Sequence, residues 1–373
     1  MKNVPFLDLS RQHAPIKKAL RAAARKVVDG EYYIGGPEVR DFESEMAAWL
    51  GVDAVCGVSC ATMGLFATLR SMGVGPGDEV ITTAHTAIPT SEAITLTGAQ
   101  VVFADIQEQS FNIDPEDVAR KITDKTKVLL PVHIYGQPAD LDAILELGRK
   151  HDIRVVEDCA QAQGARYKDA YVGTYGDAAV FSFFPSKALG GFGDGGAVTA
   201  RDPKLMKRIS MFSNHGREKK YLHEFEGMNS RLDAIQAALL RVCLPRLDNW
   251  NASRRQVAAW YEERLKDVPE VRTPAVSPNR EHVYHVYVIV VPDREGLRNH
   301  LKEWGISTGL HYPTSLNLQP AYAYLEQGQG SFPQAEYACS HMLSLPMFPD
   351  LSQEEVEYVT EVIREYYRKR RTP

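Results

Sequence analysis

The sequence predicts an α/β protein in two unequal lobes: a large one built on a mostly parallel sheet between helices, and a smaller C-terminal α+β one. Three observations predict it. Over the first two-thirds of the chain, short apolar runs alternate with amphipathic stretches, as a parallel sheet covered on both faces requires. Near residue 230 that alternation gives way to longer, charged helical patterns. The 373 residues, 44% of them hydrophobic, exceed the usual size of one compact domain. The expected division is 1–248 for the large lobe and 249–373 for the small one.

Seven runs read as strands: 54–59, 79–84, 100–106, 127–135, 154–159, 178–184 and 196–200. Most are rich in Val, Ile and Phe, and several are bounded by Gly, Pro or Asp. Between them, 114–121 is preceded by Asn112, and 140–151 carries Leu141, Ile144, Leu145 and Leu147 on one face, so both read as helices. Further on, helices are expected at 230–240, 249–265, 294–304 and 353–367, and a strand-like run at 285–291. The polar, charge-dense segment 217–227 is expected to be the most mobile surface.

The net charge of -5 gives no reason to expect nucleic acid or an anionic membrane as partner. No apolar stretch could span a bilayer, and the first residues lack the apolar run of a signal peptide, so a cytoplasmic setting is expected. The five cysteines (Cys56, Cys60, Cys159, Cys243 and Cys339) match neither a zinc ribbon nor a redox pair. They read as reduced, packed thiols, and no metal site is expected.

The chemistry centres on Phe181-Ser-Phe-Phe-Pro-Ser-Lys-Ala-Leu-Gly-Gly-Phe-Gly-Asp-Gly-Gly196, where a strand delivers a Ser and a Lys into a glycine-rich loop. Gly191, Gly193 and Gly196 fit the dinucleotide fingerprint G-x-G-x-x-G. That fingerprint needs a helix after the glycines, whereas Ala197-Val-Thr-Ala200 reads as a strand. The glycines instead let the backbone turn tightly and pass close to a ligand. Lys187 alone reads as readily as a solvated lysine. Its company argues otherwise. Arg154-Val-Val-Glu-Asp-Cys-Ala-Gln161 ends a strand on two acids, and ligands of open α/β sheets sit beyond the carboxyl ends of strands. Asp158 and Lys187 together suit Schiff-base chemistry on pyridoxal 5'-phosphate (PLP). Asp158 would keep the pyridine nitrogen protonated; Lys187 would bond the aldehyde and, once released, shuttle a proton. The other reading of Asp158 is an N-cap for a following helix.

At this point the chain resembles the DegT/DnrJ/EryC1/StrS family of sugar aminotransferases. The resemblance runs through Pro5-Phe-Leu-Asp-Leu9, Tyr33-Ile-Gly-Gly-Pro-Glu-Val39, Gly75-Pro-Gly-Asp-Glu-Val-Ile81, Tyr135-Gly-Gln137 and Glu157-Asp-Cys-Ala-Gln161. After the lysine loop it continues with Asn229-Ser-Arg-Leu-Asp-Ala-Ile-Gln-Ala-Ala238, His311-Tyr-Pro313 and Leu343-Ser-Leu-Pro-Met347. It implies a fold type I PLP-transferase with a seven-stranded sheet, and it implies roles. Lys187 would carry the cofactor, Asp158 would bind the pyridine nitrogen and Gln161 the ring hydroxyl. Ser182 and the amides of Ala61 and Thr62, at the start of a helix, would hold the phosphate, an arrangement that is sound physically. Asn229 would reach the phosphate of a neighbouring subunit, which implies a homodimer with shared active sites. Two departures stand out: Ala61-Thr62 replaces the family's Gly-Thr pair, and His85-Thr-Ala87 replaces a Phe-Thr-Phe-like stretch. His85 then either stacks on the cofactor ring or is an ordinary loop histidine.

The resemblance also implies a nucleotide-linked keto sugar as acceptor and L-glutamate as donor. His215, Arg217, Lys219, Lys220, Tyr221 and His223 offer groups for a diphosphate, though such a loop also reads as solvated charge. Arg231, His311, Tyr312, Tyr32 and Tyr33 would border the sugar. The Asn229-Ser-Arg-Leu-Asp233 segment is similar to enzymes that aminate C3 rather than C4. Because Lys187 is present, the dehydratases of the family, which carry histidine there, are disfavoured. Two other readings remain open: an aminocyclitol- or aminobenzoate-forming enzyme, and a non-catalytic PLP-binding regulator.

Overall fold

A computed structural model describes residues 2–371. Its central sheet has seven strands: β1 (Val55–Val58), β2 (Glu79–Thr83), β3 (Gln100–Ala104), β4 (Thr126–Leu130), β5 (Arg154–Asp158), β6 (Ala178–Ser182) and β7 (Gly196–Ala200). They lie in the order β1-β7-β6-β5-β4-β2-β3. Only β7 runs against the rest, paired antiparallel with both β1 and β6. Most positions of these strands are buried, which is why the runs read as continuous apolar stretches rather than alternating ones.

Differences from the expected boundaries have local causes. The run expected at 127–135 stops at Leu130 because Pro131 has no N–H for the ladder, and the chain then turns through Ile134–Gly136. The helix Pro115–Lys121 is capped by Asp114, whose side chain accepts the Glu116 N–H. Asn112 instead donates to the carbonyls of Gln137 and Pro138. The helix expected from 230 begins at Ala234, since Asn229 bridges to Asn214 in extended form and Asp233 to Ile34.

In the second lobe, β8 (Tyr287–Val290) pairs antiparallel with β9 (Met342–Leu345). The helices Leu247–Leu265, Arg294–Glu303 and Gln353–Arg371 pack around them through Tyr261, Leu297, Val359 and Ile363. Val4 is fully buried in this same core and bridges Ile306, so the first residues of the chain pack with the small lobe rather than within an undivided 1–248 unit. The segment expected to be mobile contains a small hairpin, Arg217–Lys219 against Leu222–His223. No helix among the described residues is long and apolar enough to cross a membrane.

The sheet order sets up the site. Strands β5 and β6 are neighbours and end at one edge, on Asp158 and Ser182. Because β7 is reversed, Gly196 lies opposite Ser182, and the loop 183–195 leaves and returns at that same edge.

Candidate active site

At that edge lies a cavity of about 480 Å³ lined by Asp158, Gln161, Ser182 and Lys187, by Cys60, Ala61 and Thr62, and by Thr86, Thr90, Asp194, His285, His311 and Tyr312. Asp158 is almost wholly buried, and no helix follows it, so it is not an N-cap. Its two oxygens are held separately. Oδ1 accepts the Ala160 N–H at 3.0 Å, and Oδ2 accepts the Thr90 hydroxyl at 2.8 Å. Burial raises its pKa above the ordinary carboxylate value, opposed by those two donors and by the charge of Lys187. Lys187 is half-buried, and its backbone N–H returns to the Phe184 carbonyl at 2.8 Å, closing a turn. Desolvation lowers its amine to about 8, with Asp158 pulling the other way.

The orientation of Gln161 is fixed by the backbone. Its Oε1 accepts the Tyr135 N–H at 2.8 Å, so Nε2 is the end left to donate, and it meets the Tyr312 hydroxyl at 3.1 Å. Ser182 is buried at the end of β6, with Oγ accepting the Phe184 N–H. Ala61 and Thr62 open the helix Ala61–Ser71, and the N-cap residue Cys60 provides no side-chain acceptor for their N–H groups. Such a helix start attracts an anion. Gly196 brings β7 against it: a Cβ there would lie 2.9 Å from the Ala61 nitrogen and 2.8 Å from the Cys60 carbonyl carbon.

His311 and Tyr312 join the cavity wall as expected; His311 Nδ1 pairs with Ser344 Oγ at 2.9 Å. Burial lowers the His311 pKa to about 4 and raises that of Tyr312 to about 12. His85 requires a correction: it is buried but is not among the lining residues. One ring nitrogen meets the Tyr135 hydroxyl and the other lies 3.3 Å from Cys339 Sγ, so the ring is locked in the interior instead of stacking in the cavity. Asn229, Arg217, Tyr221 and Tyr33 are exposed and lie outside the lining, with Tyr221 84% exposed. Arg231 also lies outside it, donating to Asn214 Oδ1 at 3.3 Å. Cys60, read as a packed thiol, is instead a partly exposed member of the wall.

Thr90 and His285 were given no site role by the sequence, and Tyr135 appeared only within a family motif. Thr90 lies 68 residues before its carboxylate partner, and no local pattern marks it. Behind the site, Glu157 points to the other face of β5. There it meets His133 at 3.0 Å and accepts the N–H groups of Gly173, Tyr175 and Gly176. His133, Glu157 and Cys159 converge as metal ligands could, but these bonds and the Ala139 N–H on His133 Nδ1 already occupy the histidine and carboxylate.

The donor set fits PLP point for point. It offers a buried carboxylate for the pyridinium, an oriented amide for the ring hydroxyl, an uncapped helix start with Ser182 for the phosphate, and an amine of lowered pKa for the aldehyde. The fold and this site define a fold type I PLP enzyme. The pattern of the DegT/DnrJ/EryC1/StrS aminotransferase family matches residues 15–364, and the chain belongs to that family. It is 44% identical over 370 residues to a pleiotropic regulatory protein of Geobacillus stearothermophilus, covering 98% of this chain and 99% of that one. It is 43% identical over 363 residues to dTDP-3-amino-3,4,6-trideoxy-alpha-D-glucose transaminase of Streptomyces venezuelae, covering 97% and 96%. The crystal structure of S. venezuelae DesV in complex with a ketimine intermediate superposes with a TM-score of 0.96 at 43% identity, covering 98% and 99%.

Proposed function

We propose that the protein moves an amino group from L-glutamate to C3 of a nucleotide-linked keto sugar, as a cytoplasmic homodimer whose two sites share residues. The observation that carries the reading is the convergence of Lys187 and Asp158 in one cavity with Gln161, Ser182 and the helix start at Ala61. The sugar acceptor is supported by the names of the relatives, the carbon by the Asn229-Ser-Arg-Leu-Asp233 segment. Exposure of Asn229, Arg217, Tyr221 and Tyr33, outside the single-chain cavity, supports their serving a second copy. Five free cysteines suit a reducing compartment.

PLP, when bound, supplies the aldehyde that takes up the amino group and a ring that draws electrons from the reacting carbon. The chain's residues do the rest. Asp158, keyed by Thr90 and Ala160, would hold a proton at the ring nitrogen, and a positive charge there would offset its own burial cost. Gln161, its Oε1 held by the Tyr135 N–H, would offer Nε2 to the ring hydroxyl. The Lys187 amine, near 8, can hold or release a proton close to neutral pH, which suits it to carry the proton between carbons.

The test is to mix PLP-loaded enzyme with L-glutamate, follow the cofactor absorbance, and then add nucleotide-linked 3-keto sugars. The expected result is a change on glutamate that the sugar reverses. An unchanged spectrum on glutamate would favour the regulatory reading that the first relative's name suggests. Reversal by an aminocyclitol precursor alone would favour that acceptor.

A further inference from the structure

Among the buried polar side chains of the cavity wall, His285 is the one that no hydrogen bond engages. Asp158, Gln161, Thr90, Ser182, His311 and Tyr312 each have a hydrogen-bond partner within the chain. His285 is 9% exposed and its backbone is pinned on both sides: its N–H donates to the Tyr135 carbonyl at 2.9 Å, and its carbonyl accepts from Arg254 Nη1 at 3.4 Å. Yet Nδ1 is sealed in the interior with no partner, and Nε2 is the ring nitrogen left open to the cavity. A buried polar atom left unpaired costs about 1–3 kcal/mol. A buried ring on a pinned backbone, with no side-chain partner of its own, is free to meet a ligand.

Three considerations narrow what that is. First, each polar point of the cofactor already has a donor or acceptor in the site, so the ring is spare. Second, Nδ1 has nothing to donate to and lies near the buried Arg254 cation, which favours a lone pair there and places the ring proton on Nε2. Third, burial, with the charges of Lys187 and Arg254 behind it, holds the imidazole neutral. A donor's carboxylate buried against a neutral ring would be left poorly compensated, whereas a hydroxyl accepts one hydrogen bond at little cost.

We propose that His285 is a substrate-binding residue whose Nε2–H donates a hydrogen bond to a hydroxyl of the acceptor sugar, so that it sets specificity in the sugar half-reaction and not in the glutamate one. This rests on the sugar-acceptor reading above.

The experiment compares wild type, His285→Phe and His285→Gln as PLP-loaded full-length proteins. Each half-reaction is run separately, one with L-glutamate and one with a nucleotide-linked 3-amino sugar, and calorimetry gives the Kd of the sugar nucleotide. Cofactor absorbance and Tm confirm that each variant is folded and loaded. The expected result for His285→Phe is a kcat/KM loss about tenfold greater with the sugar than with glutamate. The Kd should weaken in proportion, and His285→Gln should recover part of the loss. With the deoxy analogue that lacks the recognised hydroxyl, the gap between wild type and His285→Phe should close. Equal losses in both half-reactions would mean that the ring positions Lys187, a greater loss with glutamate would mean that it serves the carboxylate, and no loss would mean that it is packing; each overturns the proposal. If wild type itself responds to glutamate but to no sugar nucleotide, the acceptor reading falls before any variant is examined, and this proposal falls with it.

Discussion

The cavity around Lys187 and the segment from Asn214 to Arg231 both carry predicted site residues, but they are built on opposite terms. In the cavity, buried side chains are held by other buried groups: Asp158 by Thr90 and Ala160, Gln161 by Tyr135. In the 214–231 segment the side chains of Arg217, Tyr221, His223 and Asn229 are exposed, and the contacts are mainly backbone pairings such as Arg217 with His223. Most of the groups expected to hold the cofactor converge within one chain. The residues expected to hold the nucleotide and the shared phosphate contact lie exposed, outside the cavity of the single chain. Rigid placement serves chemistry common to both half-reactions, while a surface loop can be varied for the substrate.

The comparison can be broken most directly at Lys187. Lys187→Ala should lower both half-reactions by roughly 10³-fold or more while the protein still takes up PLP non-covalently. Activity above a tenth of wild type would remove the chemistry from the cavity. Glu157→Gln probes whether the neighbouring acid is purely structural. Burial raises the Glu157 pKa, but His133 and the surrounding amides outweigh it, and the net value is lowered. Its ionised form therefore stabilises the fold above the unfolded carboxylate pKa, and that contribution is lost as pH falls through the folded value. The variant should lose about 3–5 kcal/mol in urea unfolding at pH 7, and the gap should narrow in acid.

The surface half is tested by mixing. Lys187→Ala and Asn229→Ala, each inactive, should regain about a quarter of wild-type activity after subunit exchange, because mixed dimers then hold one intact site. No regain would place both residues in the same chain's site. For Lys187 itself, a folded pKa of about 8 predicts that the apoenzyme captures PLP roughly fivefold faster at pH 8 than at pH 7 and levels off above. A rate still climbing toward pH 10 would give the residue an ordinary amine. The smallest effect is expected at the exposed hairpin. Arg217→Ala should raise KM for the sugar nucleotide about threefold to fivefold, with a smaller change in the glutamate half-reaction.

Much of this was legible in the sequence where the determining information is local. The seven strands show because burial on both faces writes unbroken apolar runs, and Asp158 and Lys187 show because strand ends are marked by the residues around them. Placement that depends on distant partners did not show. His85 has the chemistry to stack on a ring, and only the arrival of Tyr135 and Cys339 from 50 and 254 residues away explains why it does not. Thr90, His285 and the docking of Val4 on the small lobe were hidden for the same reason.

The single reversed strand has one more consequence. A loop joining parallel neighbours must cross a face of the sheet, but the 183–195 segment, strung between β6 and the antiparallel β7, closes like a bracket fastened at two adjacent points. Its apex therefore holds its position independently of what stands there. Exchange of the residue at 187 should change the reagent while the two strand ends that fasten the loop stay in place.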